Sequence, residues 1–224
     1  MVKLVSVESN VGGGKTTLIE SLMEKIKDDK SFILIKEPVD DWKKIIINGK
    51  DILTNFYENM AEVALPFQLI ALLTRRRKIL EKINEAKLLE TQLGKEVILV
   101  TERTVHSDRY IFAEMLHQDG FINDYGMTAY KMWNDDFAKE STVNKTVYIN
   151  IPPEICFNRV KKRNRPGEEN ITLEYLQKCQ KAHDRFYDEH INKGDHMTID
   201  TSNIIKETSE YEEMIDRIIV YFRN

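Results

Sequence analysis

Glu8-Ser9-Asn10-Val11-Gly12-Gly13-Gly14-Lys15-Thr16-Thr17 follows directly on the apolar run Lys3 to Val7. A short apolar strand, a glycine-rich turn, a lysine and two threonines read in that order as a phosphate-cradling loop between a strand and a helix. In such a P-loop, backbone N–H groups point at phosphate oxygens, the lysine neutralises the β/γ charge and the next hydroxyl ligates Mg2+. The backbone places fall to Asn10, Val11, Gly12, Gly13 and Gly14, the charge to Lys15, and the hydroxyl to Thr16 with Thr17 beside it. The pattern opens with glycine, whereas Ser9 stands there in this chain; a φ above zero at that position would strain it. The alternative is a glycine-rich turn with an incidental lysine. Binding of ATP or GTP is the leading inference.

Working outward, 224 residues with 42% hydrophobic content and no Pro/Gly/Ser-rich linker fit one α/β domain spanning 1–224. The net charge of −4 does not favour a polyanionic partner, so nucleic acid is not expected. Two cysteines, Cys156 and Cys179, lack metal-ligand spacing and are too few for a disulfide framework, which suits a reducing compartment. The short apolar N-terminal run and the absence of a long apolar stretch argue against a signal peptide and a membrane span, so an intracellular, cytoplasmic protein is expected. The five histidines form no HExxH pair, and none is assigned to a metal.

Short apolar runs alternate with long helical patterns, which predicts crossover connections and a mainly parallel, five-stranded sheet flanked by helices. The predicted strands are Lys3 to Val7, Phe32 to Lys36, Val97 to Thr101, Thr146 to Ile151 and Met197 to Asp200. The predicted helices are Thr16 to Lys27, Pro66 to Gln92, Ser107 to His117, Tyr125 to Lys139, Pro153 to Arg163, Leu173 to Asn192 and Glu207 to Arg223. Ligands of open α/β sheets bind beyond the carboxyl ends of the strands. That rule selects the phosphate loop, Glu37-Pro38-Val39 continuing to Trp42, and Glu102-Arg103. A carboxylate there can act as general base on a hydroxyl, and an arginine can stabilise charge on a transferring phosphoryl group. Read singly, Glu37 is also compatible with a solvated charge after a strand.

These residues carry a resemblance. Glu37-Pro38-Val39 with Trp42, the pair Phe67-Gln68, Glu102-Arg103-Thr104 leading to Ser107-Asp108-Arg109-Tyr110-Ile111-Phe112, and Arg159, Arg163 and Arg165 ending in Glu168-Glu169 together resemble the deoxyribonucleoside kinases. That group contains deoxycytidine, deoxyguanosine, mitochondrial thymidine and insect multisubstrate kinases. The resemblance runs from about Lys3 to the C-terminus. Thr104 replaces the family's serine, and Asn164 replaces the usual glycine between the lid arginines, with Pro166-Gly167 following.

The resemblance implies a P-loop kinase fold with an arginine-rich lid over about 159–169, and transfer of the γ-phosphate of ATP or another nucleoside triphosphate to the 5′-hydroxyl of a deoxynucleoside. It implies that Glu37 takes the hydroxyl proton and that Arg103 holds both Glu37 and the transferring phosphate. By the same resemblance Glu102 and Thr16 would hold Mg2+, one or both through water; Lys15, Arg159, Arg163 and Arg165 would clamp phosphates; Tyr57 and Glu168 would hold the sugar 3′-hydroxyl. Gln68 would read the base edge, with Phe112 stacking on the base and Trp42 closing the pocket. Independently, Pro66 suits a first helical turn, from which Gln68, Ala71 and Arg75 fall on one face at i, i+3 and i+7. Arg75 beside a base needs a compensating carboxylate, and Asp108 is the expected partner. Within the family, this alanine, arginine and aspartate resemble the deoxycytidine and purine deoxynucleoside kinases. Deoxycytidine is the expected first substrate and a purine deoxynucleoside the second. The rest of Arg75-Arg76-Arg77-Lys78 reads as a solvated surface, and the lid arginines also complement a helix dipole. A homodimer is implied by the family. Competing readings are a nucleoside monophosphate kinase resembling thymidylate kinase and a non-catalytic nucleotide-binding module.

Overall fold

The structure is a computed structural model that describes residues 2–190, 196–204, 206 and 208–224. Five parallel strands, β1 (Lys3–Ser9), β2 (Phe32–Ile35), β5 (Ile98–Glu102), β6 (Lys145–Ile149) and β7 (His196–Ile199), lie in the order β2-β5-β1-β6-β7. A separate antiparallel pair, β3 (Ile46–Ile47) and β4 (Lys50–Asp51), forms a hairpin. Helices α1 (Lys15–Lys25), α2 (Val39–Lys43), α3 (Ile52–Glu58), α4 (Met60–Leu93), α5 (Val105–Ser107), α6 (Glu114–Gln118), α7 (Asp124–Ala138), α8 (Pro153–Arg163), α9 (Leu173–His190) and α10 (Ser209–Arg223) complete the chain. A π-helical segment, Asp108–Ala113, joins α5 to α6.

Both faces of β1 are covered, as expected of a central parallel strand. Successive side chains point to opposite faces. Val5 and Val7 join the core made with Leu18 and Leu22 of α1 and Ile215, Ile218 and Phe222 of α10. Leu4 joins Leu99 and Ile79 on the other face. Strand order reverses at β1: the chain leaves it for β2, returns as β5 on one side and later places β6 on the other. The crevice at the carboxyl end of β1 is therefore the place this topology offers a ligand.

Several boundaries differ from those expected. Helix α4 begins at Met60, so Pro66 lies inside it and does not open it. The missing proline N–H forfeits one backbone bond. Burial of Ala64 ahead of the proline and of Phe67 just after it outweighs that loss. The π segment interrupts the helix predicted over Ser107 to His117, which itself starts earlier, at Val105, behind a reciprocal Thr104–Ser107 capping box. The hairpin was not expected, although Asn48-Gly49 between isoleucines and Lys50 is a strong two-residue turn signal, and both turn residues take positive φ. Residues 191 and 192 of the predicted Leu173 to Asn192 helix, and the predicted start at Glu207, lie outside the described residues. Strand ends otherwise shift by a residue or two. Among the described residues, no helix is long and apolar enough to cross a membrane.

Candidate functional site

A cavity of about 660 Å3 opens at the carboxyl end of the sheet, between the glycine-rich loop, α4 and the segment after α8. The loop is built backwards from Ser9. That residue ends β1 outside the positive-φ region, so it carries no strain; its Oγ donates to the Ile149 carbonyl at 2.9 Å. The same hydroxyl occupies the space that a side chain at position 13 needs: a Cβ on Gly13 would stand 1.8 Å from Ser9 Oγ. Lys15 Nζ donates to the carbonyls of Ser9 and Asn10 at 3.2 and 3.1 Å. Burial, with Arg103 nearby, brings its amine down to about 8. Val11, Gly12, Gly14, Lys15, Thr16 and Thr17 line the cavity. Asn10 and Gly13 stand behind it. Asn10 ties the loop to α9 through Leu176, its amide donating to that carbonyl at 2.8 Å.

On the β5 side, Thr16 Oγ1 donates to Glu102 Oε1 at 3.1 Å. This pairs a hydroxyl and a carboxylate oxygen beside the lysine, the hard-oxygen donor set that suits Mg2+. Arg103 follows at φ 66, in the left-handed region, which is costly for a non-glycine residue. Its Nε lies 3.4 Å from Glu37 Oε1, and the ring of Phe112 sits 4.6 Å from its guanidinium carbon.

Arg75 is the centre of the polar network. Its Nε donates to Asp108 Oδ2 at 2.8 Å, its Nη1 to the Glu102 carbonyl at 2.8 Å, and its Nη2 to Glu37 Oε1 at 3.0 Å. Arg75 and Asp108 are each only 2% exposed. Burial raises the Asp108 carboxyl, while Arg75 opposes that and is itself held firmly charged. Burial also pushes Glu37 upward, but Arg75, Arg103 and Lys15 together outweigh it and leave the carboxyl below its ordinary range. The direct bond between Arg75 and Glu37 was not foreseen. It depends on the rotation of α4 against β2.

Gln68, Ala71 and Arg75 share the buried face of α4 that lines the cavity. Trp42 donates its indole N–H to Thr74 Oγ1 at 2.9 Å and packs edge-on against Phe67, which leaves an apolar wall. Tyr57 lines the same space, and burial with Glu168 nearby raises its phenol. At the end of α8, Asn164 adopts the left-handed conformation that a helix-ending glycine commonly supplies. Arg163 and Arg165 converge on Glu168, with Nη–Oε distances of 2.6 and 3.2 Å. Gly167 closes this segment onto α3, where a Cβ would meet Thr54 Oγ1 at 2.5 Å. Arg159 comes from the preceding turn of α8 and stands over Gly14.

Thr201, Ile204 and Tyr211 also line the cavity, none of them singled out from the sequence. Applying the strand-end rule to β7 finds Thr201. The buried carboxylate Glu8 was also passed over; a charge inside a strand covered on both faces is the signal that marks it.

A sequence profile described as deoxynucleoside kinase matches residues 5–222. Human deoxycytidine kinase is 27% identical over 97% of this chain and 90% of its own length. Chicken deoxycytidine kinase 2 is 32% identical over 82% of this chain and 73% of its own. A putative kinase of Invertebrate iridescent virus 3 is 30% identical over 91% of this chain and 90% of its own.

Proposed function

Because the chain belongs to the deoxynucleoside kinase family, we propose that it transfers the γ-phosphate of ATP, or of another nucleoside triphosphate, to the 5′-hydroxyl of a deoxynucleoside, deoxycytidine first and a purine deoxynucleoside second. The observation that carries this reading is Glu37 at the cavity, held between Arg75 at 3.0 Å and Arg103 at 3.4 Å. A carboxylate kept ionised at neutral pH can receive the hydroxyl proton as the oxygen attacks. Its weak basicity is acceptable, because phosphoryl transfer asks for positioning and charge stabilisation more than for a strong base. Arg103 is then placed to meet negative charge spreading over the transferring group. Lys15 and the backbone of Gly12 and Gly14 receive the donor phosphates, with Arg159 above them and Arg163 and Arg165 at the lid.

Thr16 and Glu102 are the residues that would hold Mg2+, which when bound neutralises charge on the β- and γ-phosphates. Tyr57 and Glu168 face the sugar, and Gln68 faces the base with Phe112 and Trp42 as its walls. Asp108 is an acceptor where cytosine and adenine present an amine and thymine presents a carbonyl. Its second oxygen is not used by Arg75 Nε. We further infer a homodimer. Leu73 of α4 and Met132 and Trp133 of α7 are large exposed apolar side chains on helices that pack together. Cys156 and Cys179 are buried free thiols, as a reducing, intracellular setting would keep them.

Incubation with ATP, Mg2+ and each deoxynucleoside or deoxynucleoside monophosphate tests the reading. Diphosphate formed only from monophosphates would show a nucleoside monophosphate kinase, and no turnover with any acceptor would show a binding module.

A further inference from the structure

Glu8 takes no part in the roles above, yet it is a second carboxylate facing Arg103. Strand alternation turns it away from the valine face of β1, and it is 1% exposed. Its Oε1 accepts from Ser107 Oγ at 3.0 Å. Its Oε2 and Arg103 Nη1 are both buried without a hydrogen-bond partner, and they lie 3.9 Å apart. Burying a carboxylate is costly unless it is paired, and an apolar residue suits a strand covered on both faces better. The charge at this position therefore needs a reason.

The Arg103 backbone supplies one. At φ 66 it is held by hydrogen bonds, its N–H donating to the Val7 carbonyl at 3.2 Å and its carbonyl accepting from Thr101 Oγ1 at 2.9 Å. The side chain passes Glu37 at its Nε and ends with Nη1 towards Glu8. With Glu37 as its sole counter-charge, the guanidinium would be drawn fully onto that carboxylate, tying up the group that must receive a proton.

We propose that Glu8 is a positioning residue for phosphoryl transfer, whose carboxylate holds the Nη1 end of Arg103 while Glu37 meets Nε, so that the guanidinium stays aimed at the transferring group. This rests on the kinase reading above. The charged and titratable groups around Glu8 are Arg103 after β5, Lys15 on α1, Arg75 on α4 and Tyr187 on α9. Burial pushes the Glu8 carboxyl up to about 7 against the pull of Arg103, the Ser107 hydrogen bond, Arg75 and Lys15.

The test is steady-state kinetics at pH 8, with the best deoxynucleoside of the substrate panel and ATP-Mg2+, on the wild type, Glu8→Gln and Glu8→Asp, each checked by thermal unfolding. In Glu8→Gln, kcat should fall roughly 10- to 100-fold, the scale of a misplaced charged group. Both KM values should stay within about three-fold of wild type. Glu8→Asp keeps the charge but draws it back by one methylene, and should fall between the two. Lowering the pH through about 7 should reduce wild-type kcat, and that limb should be missing from Glu8→Gln. A Glu8→Gln enzyme within about two-fold of wild-type kcat overturns the role, as does a loss shared equally by KM and accompanied by a lowered Tm. If Glu8→Gln does not fold, a Glu8→Asp enzyme with wild-type kcat overturns it. A wild type that phosphorylates no deoxynucleoside removes the kinase reading and this role with it; an active wild type beside an unimpaired Glu8→Gln removes this role alone.

Discussion

Asp108→Ala, alone and combined with Arg75→Met, separates the worth of the buried pair from the function it serves. The single change leaves Arg75 buried with its Nε unpaired, while Nη1 keeps the Glu102 carbonyl and Nη2 keeps Glu37. Breaking a buried ion pair costs about 3–5 kcal/mol, and the two surviving partners place this case near the lower end. For a chain of this size, roughly 3 kcal/mol lowers Tm by about 6–12 °C. Adding Arg75→Met removes the orphaned charge. Glu37 loses one partner but keeps Arg103, and its side chain is 19% exposed, so water can reach it. The double variant should regain most of the lost stability, ending within about 1–2 kcal/mol of wild type. Its specificity should change as well. An unmatched buried acceptor costs about 1–3 kcal/mol, and more when it is charged as Asp108 is, so the wild type should disfavour thymidine by roughly 10- to 1,000-fold. In the double variant that preference should move toward thymidine, with kcat reduced for every substrate because Arg75 also holds Glu37. Thermal unfolding of wild type, Asp108→Ala and the double, with kcat/KM for deoxycytidine, deoxyadenosine, deoxyguanosine and thymidine, reads both effects. A double variant less stable than Asp108→Ala refutes the ion-pair argument, and a wild type that prefers thymidine refutes the base-reading argument.

Glu37→Gln preserves size but removes the proton acceptor, so kcat should fall roughly 10²- to 10⁴-fold with little change in nucleoside affinity; near-normal turnover would clear Glu37 of the role. Lys15 in the free protein is brought down to about 8, so it is charged below that pH and neutral above it. Consequently kcat/KM for the triphosphate should decline as pH rises past about 8, and a profile flat from about 7 to 9.5 would remove Lys15 from phosphate binding. Gly13→Ala drives a methyl into Ser9 Oγ at 1.8 Å and should collapse triphosphate binding. Adding Ser9→Gly clears that clash and should restore part of the binding, measured by titration calorimetry. A double variant no better than Gly13→Ala alone would show that the loop tolerates no side chain at position 13 for another reason.

What could be read from the chain was mostly what is contiguous in it. The glycine-rich stretch from Ser9 to Thr16, the apolar strands and the helices between them are encoded by neighbours a few residues apart. Their order predicted a five-stranded parallel sheet with its crevice at the strand ends, and the sheet is there. Gln68, Ala71 and Arg75 could be put on one face because helical periodicity requires nothing beyond the helix itself. Tyr57 and Glu168 came from the family resemblance, since nothing local marks them. Asp108 as the partner of Arg75 was expected from the sequence, and the bond is there at 2.8 Å; that the Glu102 carbonyl and Glu37 join it was decided only by tertiary structure. The three partners come from three segments, and they meet because β2 and β5 are in register and α4 is turned to face both. The burial of Glu8 against Arg103 has the same origin, because β1 and β5 pair side by side across some ninety residues of chain. Periodicity shows which side of a strand a carboxylate occupies. Which cation waits there is a distance between elements, and that distance is set by packing the sheet and helices into one core.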